Sequence, residues 1–104
     1  IDLSRNDFSG SVPGNLGGSL DGLVTLDLSE NNFNSLPAIF ASLRALKNLF
    51  MQGNSLTTFP GVILFMDPIE RLDLSNNQIA GQIPSDISKC KNLKDLSLAN
   101  NLMT

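Results

Sequence analysis

Asparagine returns along this chain at Asn6, Asn31, Asn54, Asn77 and Asn101, at intervals of 25, 23, 23 and 24 residues. Nothing else limits the fold so sharply, because other positions keep step with it. Five residues before each asparagine stand Ile1, Leu26, Leu49, Leu72 and Leu96, and three before stand Leu3, Leu28, Met51, Leu74 and Leu98. Two after come Phe8, Phe33, Leu56, Ile79 and Met103. An apolar-proline pair follows at Val12-Pro13, Leu36-Pro37, Phe59-Pro60 and Ile83-Pro84. A period of this length is one supersecondary unit written repeatedly, each unit unable to bury its apolar face alone. The register divides the chain into a partial repeat at 1–22, repeats at 23–45, 46–68 and 69–92, and a partial repeat at 93–104. Both outer pieces are incomplete, so the expectation is a segment of a longer array.

Each unit has a legible physical logic. Leu26-Asp27-Leu28 alternates with period two, which predicts a short strand with both leucines inward. Stacked units would lay such strands side by side in parallel. An asparagine side chain offers two donors and an acceptor. It can therefore pair the backbone groups left over where the chain leaves the sheet, and the five asparagines are expected to form a structural ladder. Proline has a fixed φ that suits a turn or a first helical position. After Pro37, Phe40, Leu43 and Leu46 follow at three-residue steps and are predicted to face inward.

The pattern resembles the leucine-rich repeat family over the whole chain. "FSGSVPGNL" after Asn6 and "IAGQIPSDI" after Asn77 resemble its plant-type subclass, with a G-x-[IV]-P signature. "FNSLPAIF" and "LTTFPGVI" are one residue shorter, lack the glycine and resemble the shorter general type. The resemblance implies an α/β repeat fold: a curved solenoid with a parallel sheet on the concave face and short helical or irregular return segments on the convex face. It also implies a non-catalytic interaction module of a receptor-like or secreted recognition protein, outside the cell or at its surface. A structural array stacked into a fibre or cell-surface layer, and an intracellular scaffold, stay open as alternatives.

Composition narrows the partners. Seven basic against ten acidic residues give a net charge of −3, opposite to the basic stripe of a nucleic-acid binder. The longest apolar run, "VILFM" from Val62, is far too short to insert in a membrane. With no histidine, no phosphate-cradling loop and no ligand cluster, no catalytic residue, metal or cofactor is expected. The partner is expected to be a protein or peptide, with copies of this chain or neighbouring repeats as the other option.

Departures from the repeat mark candidate contacts. In "LFMQGN", Phe50, Gln52 and Gly53 replace the aspartate, serine and polar letters of the neighbouring copies. Phe50, Gln52, Asn48 and Arg71, with Asp27 and Asp73 as an acidic rim, are the predicted partner-binding residues. An aromatic beside amides and an arginine is interface-like. Asp2, Asp27 and Asp73 share one strand position. Paired carboxylates can hold calcium or move protons; the plainer expectation is aspartate solvated or bonded to a nearby serine. Val62, Leu64 and Phe65 lie off the inward register and are a candidate lateral contact. Lone Cys90 matches Leu43 and Met66 and is expected in the core. Lys89, Lys91 and Lys94 read as a solvated rim.

Overall fold

The computed structural model describes residues 1–13 and 21–104; the end of the first copy, residues 14–20, lies outside them. The period-two triplets become strands. β2 (Thr25–Asp27), β4 (Asn48–Phe50), β5 (Arg71–Asp73) and β7 (Asp95–Ser97) form one parallel sheet in the order β2-β4-β5-β7. Equivalent letters fall side by side: Leu26, Leu49, Leu72 and Leu96 are in register, as are Asp27, Phe50, Asp73 and Ser97. An isolated parallel bridge from Asp2 to Asp27 extends this sheet by one copy. Leu26, Leu28, Leu49, Met51, Leu72 and Leu74 are all buried, so the alternating outward letters occupy the other face. The chain is a leucine-rich repeat solenoid, and this sheet is its concave face.

The asparagines close the backbone where the strands end. Asn54 accepts the Phe33 N–H at 2.9 Å and donates to the carbonyls of Leu28 at 2.9 Å and Met51 at 3.0 Å. Asn77 repeats the arrangement one copy on, accepting from Leu56 and donating to Met51 and Leu74. Asn31 accepts from Phe8, and Asn101 accepts from Ile79. Asn6 donates only within its own copy, to Leu3 and Ser4. Directly before these asparagines the chain turns through positive φ, at Arg5, Glu30, Gly53, Asn76 and Asn100. The Glu30 carboxylate lies across Gly53, within 2.6 Å of where a Cβ would stand.

A second, flanking layer has no counterpart in the sequence reading. β1 (Ser9–Ser11) pairs with β3 (Asn32–Ser35), and β6 (Ala80–Gly81) pairs with β8 (Leu102–Met103). The prolines then open short 3₁₀ turns at Ala38–Ser42, Gly61–Phe65 and Ser85–Lys89. Pro37, Pro60 and Pro84 occupy the extended residue just before each turn rather than its first helical position. Residues three apart eclipse in a 3₁₀ turn, which lines Phe40, Leu43 and Leu46, then Ile63, Met66 and Ile69, into the core. Cys90 joins them, 8% exposed.

The three candidates for a lateral contact differ in exposure. Val62 is half-buried and packs against the core, and Leu64 is half-buried. The five-residue turn is too short to keep two faces apart, so the residue before Ile63 is drawn in with it. Phe65 alone of the three stands out, 70% exposed, with Ile39 of the previous copy 55% exposed nearby in the repeat.

Candidate functional site

The outward letters of the concave sheet form columns across the strands, about 4.8 Å apart. One column runs Thr25, Asn48, Arg71, Asp95, and the next runs Asp2, Asp27, Phe50, Asp73, Ser97. Phe50 is thus flanked by Asp27 on one side and Asp73 on the other. Along its own strand it is flanked by Asn48 and Gln52, which share its face because successive side chains alternate. Arg71 sits diagonally from it, beside Asn48. The sheet register therefore brings all six predicted partner-binding residues onto one patch.

The two aspartates are held in the same way. The Ser29 N–H and hydroxyl both donate to Asp27 Oδ1, at 3.0 and 2.6 Å. The Ser75 N–H and hydroxyl donate to Asp73 Oδ1, at 2.9 and 2.6 Å. Asp2 accepts from the Ser4 N–H at 2.9 Å, and hydrogen bonding from Ser4 holds its carboxyl below the usual aspartate value. The D-x-S spacing does this work: a carboxylate two residues before a serine reaches that serine's backbone and hydroxyl together. Among the described residues no group of three potential ligands converges that could hold a metal ion.

Cations near the patch are engaged elsewhere. Arg71 Nε donates to Asp95 at 3.1 Å. Lys47 and Lys94 share Glu70, at 3.7 and 3.5 Å. Away from the sheet, on the return turn, Lys89 pairs with Asp86 at 3.5 Å. These exposed pairs contribute little stability, and among the described residues no ion pair reaches Asp27 or Asp73. Asn48 donates to the Thr25 hydroxyl at 2.9 Å. Its own Oδ1 and the Oε1 of Gln52 are shielded from water and have no partner. Each such orphan costs roughly 1–3 kcal/mol; one lies on β4 and one just past its end, on either side of Phe50. Register alone cannot reveal this from sequence, because it depends on which neighbour each amide turns toward.

A shallow depression of about 380 Å³ opens beside Phe50, lined by Arg71, Asp73, Lys94, Asp95 and Ser97 among others. A second hollow of about 400 Å³ lies on the convex side between Ala41, Arg44, Phe65, Asp67 and Pro68. The lateral-contact candidate Phe65 therefore belongs to a different surface from Phe50, and the turn residues Val62 and Leu64 do not line that hollow.

This architecture is a leucine-rich repeat array, and family models agree. One described as "Leucine rich repeat" matches residues 1–56 and one described as "Leucine Rich repeats (2 copies)" matches residues 69–104. The chain belongs to the leucine-rich repeat family. It is 33% identical over 103 residues to Receptor like protein 28 of Arabidopsis thaliana, a match covering 97% of this chain and 13% of that protein. The crystal structure of PEPR1-AtPEP1 superposes with a TM-score of 0.84 at 38% identity, covering 98% of this chain and 14% of that one. The ectodomain of the Arabidopsis thaliana receptor kinase GASSHO1/SCHENGEN3, in complex with CASPARIAN STRIP INTEGRITY FACTOR 2, superposes at 0.83 with 32% identity, covering 99% and 13%. The chain thus spans about a seventh of the length of these relatives.

Proposed function

We propose that this chain is part of the ligand-binding ectodomain of a receptor-like or secreted recognition protein, working outside the cell or at its surface. Its concave face takes a peptide or an extended protein segment, and it carries out no chemistry of its own. The observation that carries this reading is Phe50. It is a half-buried aromatic ring at a position where both neighbouring strands carry aspartate, on a continuous parallel sheet, with a depression beside it. A ring held on rigid strands loses little conformational freedom when a partner covers it. The matched GASSHO1/SCHENGEN3 ectodomain, crystallised with its factor, supports a macromolecular ligand.

Phe65, 70% exposed on the opposite side, favours a second reading, in which arrays associate laterally through their convex faces into a fibre or surface layer. The test uses binders selected from a random peptide library against the protein. Phe50→Ala should weaken them by about 1–2 kcal/mol or more and leave the unfolding transition in place, while Phe65→Ala binds normally. If Phe50→Ala binds as tightly as the parent and Phe65→Ala abolishes self-association, the lateral reading replaces the concave one.

A further inference from the structure

Each of the four residues directly beside Phe50 on this face carries an oxygen that no described residue bonds. Across the strands these are the second carboxylate oxygens of Asp27 and Asp73. Serine donates only to Oδ1 of each, and neither has an ion-pair partner among the described residues. Along the chain they are Asn48 Oδ1 in β4 and Gln52 Oε1 just after it, shielded and unpaired. The nearest cation on the sheet, Arg71, is turned away to Asp95. Phe50 is therefore an aromatic ring flanked by two carboxylates and two amide oxygens, with the cations that share its hollow, Arg71 and Lys94, paired to Asp95 and Glu70.

We infer that the concave site is built to receive a cationic side chain of its ligand, arginine above all; this rests on the reading of the concave face as the binding surface. A cation near an aromatic ring is attracted by the ring's quadrupole. A guanidinium adds donors spread in a plane, so it can rest against Phe50 and reach toward Asp27 on one flank and Asp73 on the other. Those two positions are separated by two strand spacings, about 9–10 Å between Cα atoms, and they stand in the same register on either side of Phe50. An ammonium is a compact point charge that serves one carboxylate well and the other poorly. Ser29 and Ser75 fix the carboxylates in advance, so little ordering is left to occur on binding. The amide torsions of Asn48 and Gln52 are soft, and either oxygen can turn to a donor that arrives. An anionic side chain placed between Asp27 and Asp73 would face two like charges, which gives the site its discrimination.

The experiment pans a random peptide library against the parent protein and against Phe50→Ala, Asp27→Asn/Asp73→Asn and Phe65→Ala. The double asparagine change keeps an oxygen for each serine, and an unchanged unfolding midpoint checks that the sheet is intact. Selected peptides should be rich in arginine. Replacing that arginine by neutral citrulline, or using the double variant, should weaken binding about tenfold or more, as for a charge-assisted pair lost from a desolvated contact. Binding should also fall as salt is raised. Peptides that depend on Phe50 but lack a basic residue, or tolerate citrulline, overturn the cation site while leaving the concave face as the binding surface. Peptides indifferent to Phe50→Ala, or a library that yields no binder to the concave face, overturn both.

Discussion

β2, β4, β5 and β7 pair without interruption, whereas the flanking strands pair only two by two, β1 with β3 and β6 with β8. The same copies build both layers, so the difference lies in what each layer asks of the letters. The concave sheet needs a leucine-like residue inward at alternate positions and one asparagine to close the turn, and every copy supplies these, with Ile1 and Met51 standing for leucine. The flanking layer depends on glycine. Both pairs begin with a glycine-bearing copy, Gly10 at φ +78° in β1 and Gly81 at φ +87° in β6, and the copy that follows pairs with it. Where the preceding copy lacks that glycine, no strand pair forms: Ser55 bonds back to Phe33, and Gln78 and Ala80 bond back to Leu56 and Thr57, without a paired ladder. A layer held by side-chain identity tolerates mixed copies; a layer held by one backbone conformation breaks between them.

The sharpest way to test that contrast is to attack the concave closure. Asn54→Leu leaves the buried Phe33 N–H with no partner, while Leu28 O and Met51 O keep their bonds from Asn31 and Asn77. The orphaned N–H alone should cost roughly 1–3 kcal/mol, before any strain from the bulkier branch. Asp27→Ser, which removes a part-buried acceptor that faces the solvent side, should cost well under that. Denaturant midpoints measured side by side decide it. Equal shifts would mean the asparagine ladder is not what holds the concave layer.

Gly81→Ala probes the other layer. Nothing lies within 4 Å of the Cβ it would add, so the penalty is backbone strain alone, about 1–2 kcal/mol for an L-residue at this φ. The expected signature is local: amide exchange should quicken at Thr104, whose N–H donates to Gly81 O at 2.9 Å, while the β5 and β7 amides stay protected. Quickened exchange throughout the concave sheet would show that the two layers fold as one unit and would dissolve the comparison.

What the sequence made legible follows the same divide. The concave core could be read from Leu26, Leu49 and Leu72 and their partners two residues on, because period-two burial is written in the letters. The outward column of Asp27, Phe50 and Asp73 followed from the same register. The flanking pairs were hidden: β6 is only Ala80–Gly81, too short for a periodicity and defined by a φ value. Phe8 and Phe33 hold equal places in the repeat and stack with ring centroids 6.1 Å apart, yet Phe8 is 47% exposed and Phe33 only 3%. Burial there depends on neighbours above and below, which a single copy cannot announce. The orphan oxygens of Asn48 and Gln52 were equally invisible, since they arise from what the neighbouring copies do not offer. The copy that breaks the flanking layer, residues 46–68, is also the one that carries Phe50. Departure from the repeat appears on both of its faces.

The smallest expected effect lies outside both sheets and isolates what the return segments contribute. The Cys90 Sγ donates to Ile63 O at 3.7 Å across two copies, and burial first, then the nearby Asp67 charge, pushes its thiol up from the ordinary value. The folded chain thus disfavours thiolate relative to the unfolded chain. Stability from this group is complete below the unfolded thiol pKa and is lost as pH rises through the higher folded one. Parent protein should therefore lose stability above about pH 8.5 by more than Cys90→Ala does over the same range. Comparing the two variants cancels the lysines, which titrate in both. Alkylation of the native thiol by iodoacetamide should also run far slower than that of the denatured chain. If Cys90→Ala and the parent weaken in parallel with rising pH, or the native thiol reacts as fast as the unfolded one, Cys90 is not held in the joint between return segments, and the cohesion of the outer side must come from Phe40, Ile63 and Met66 without it.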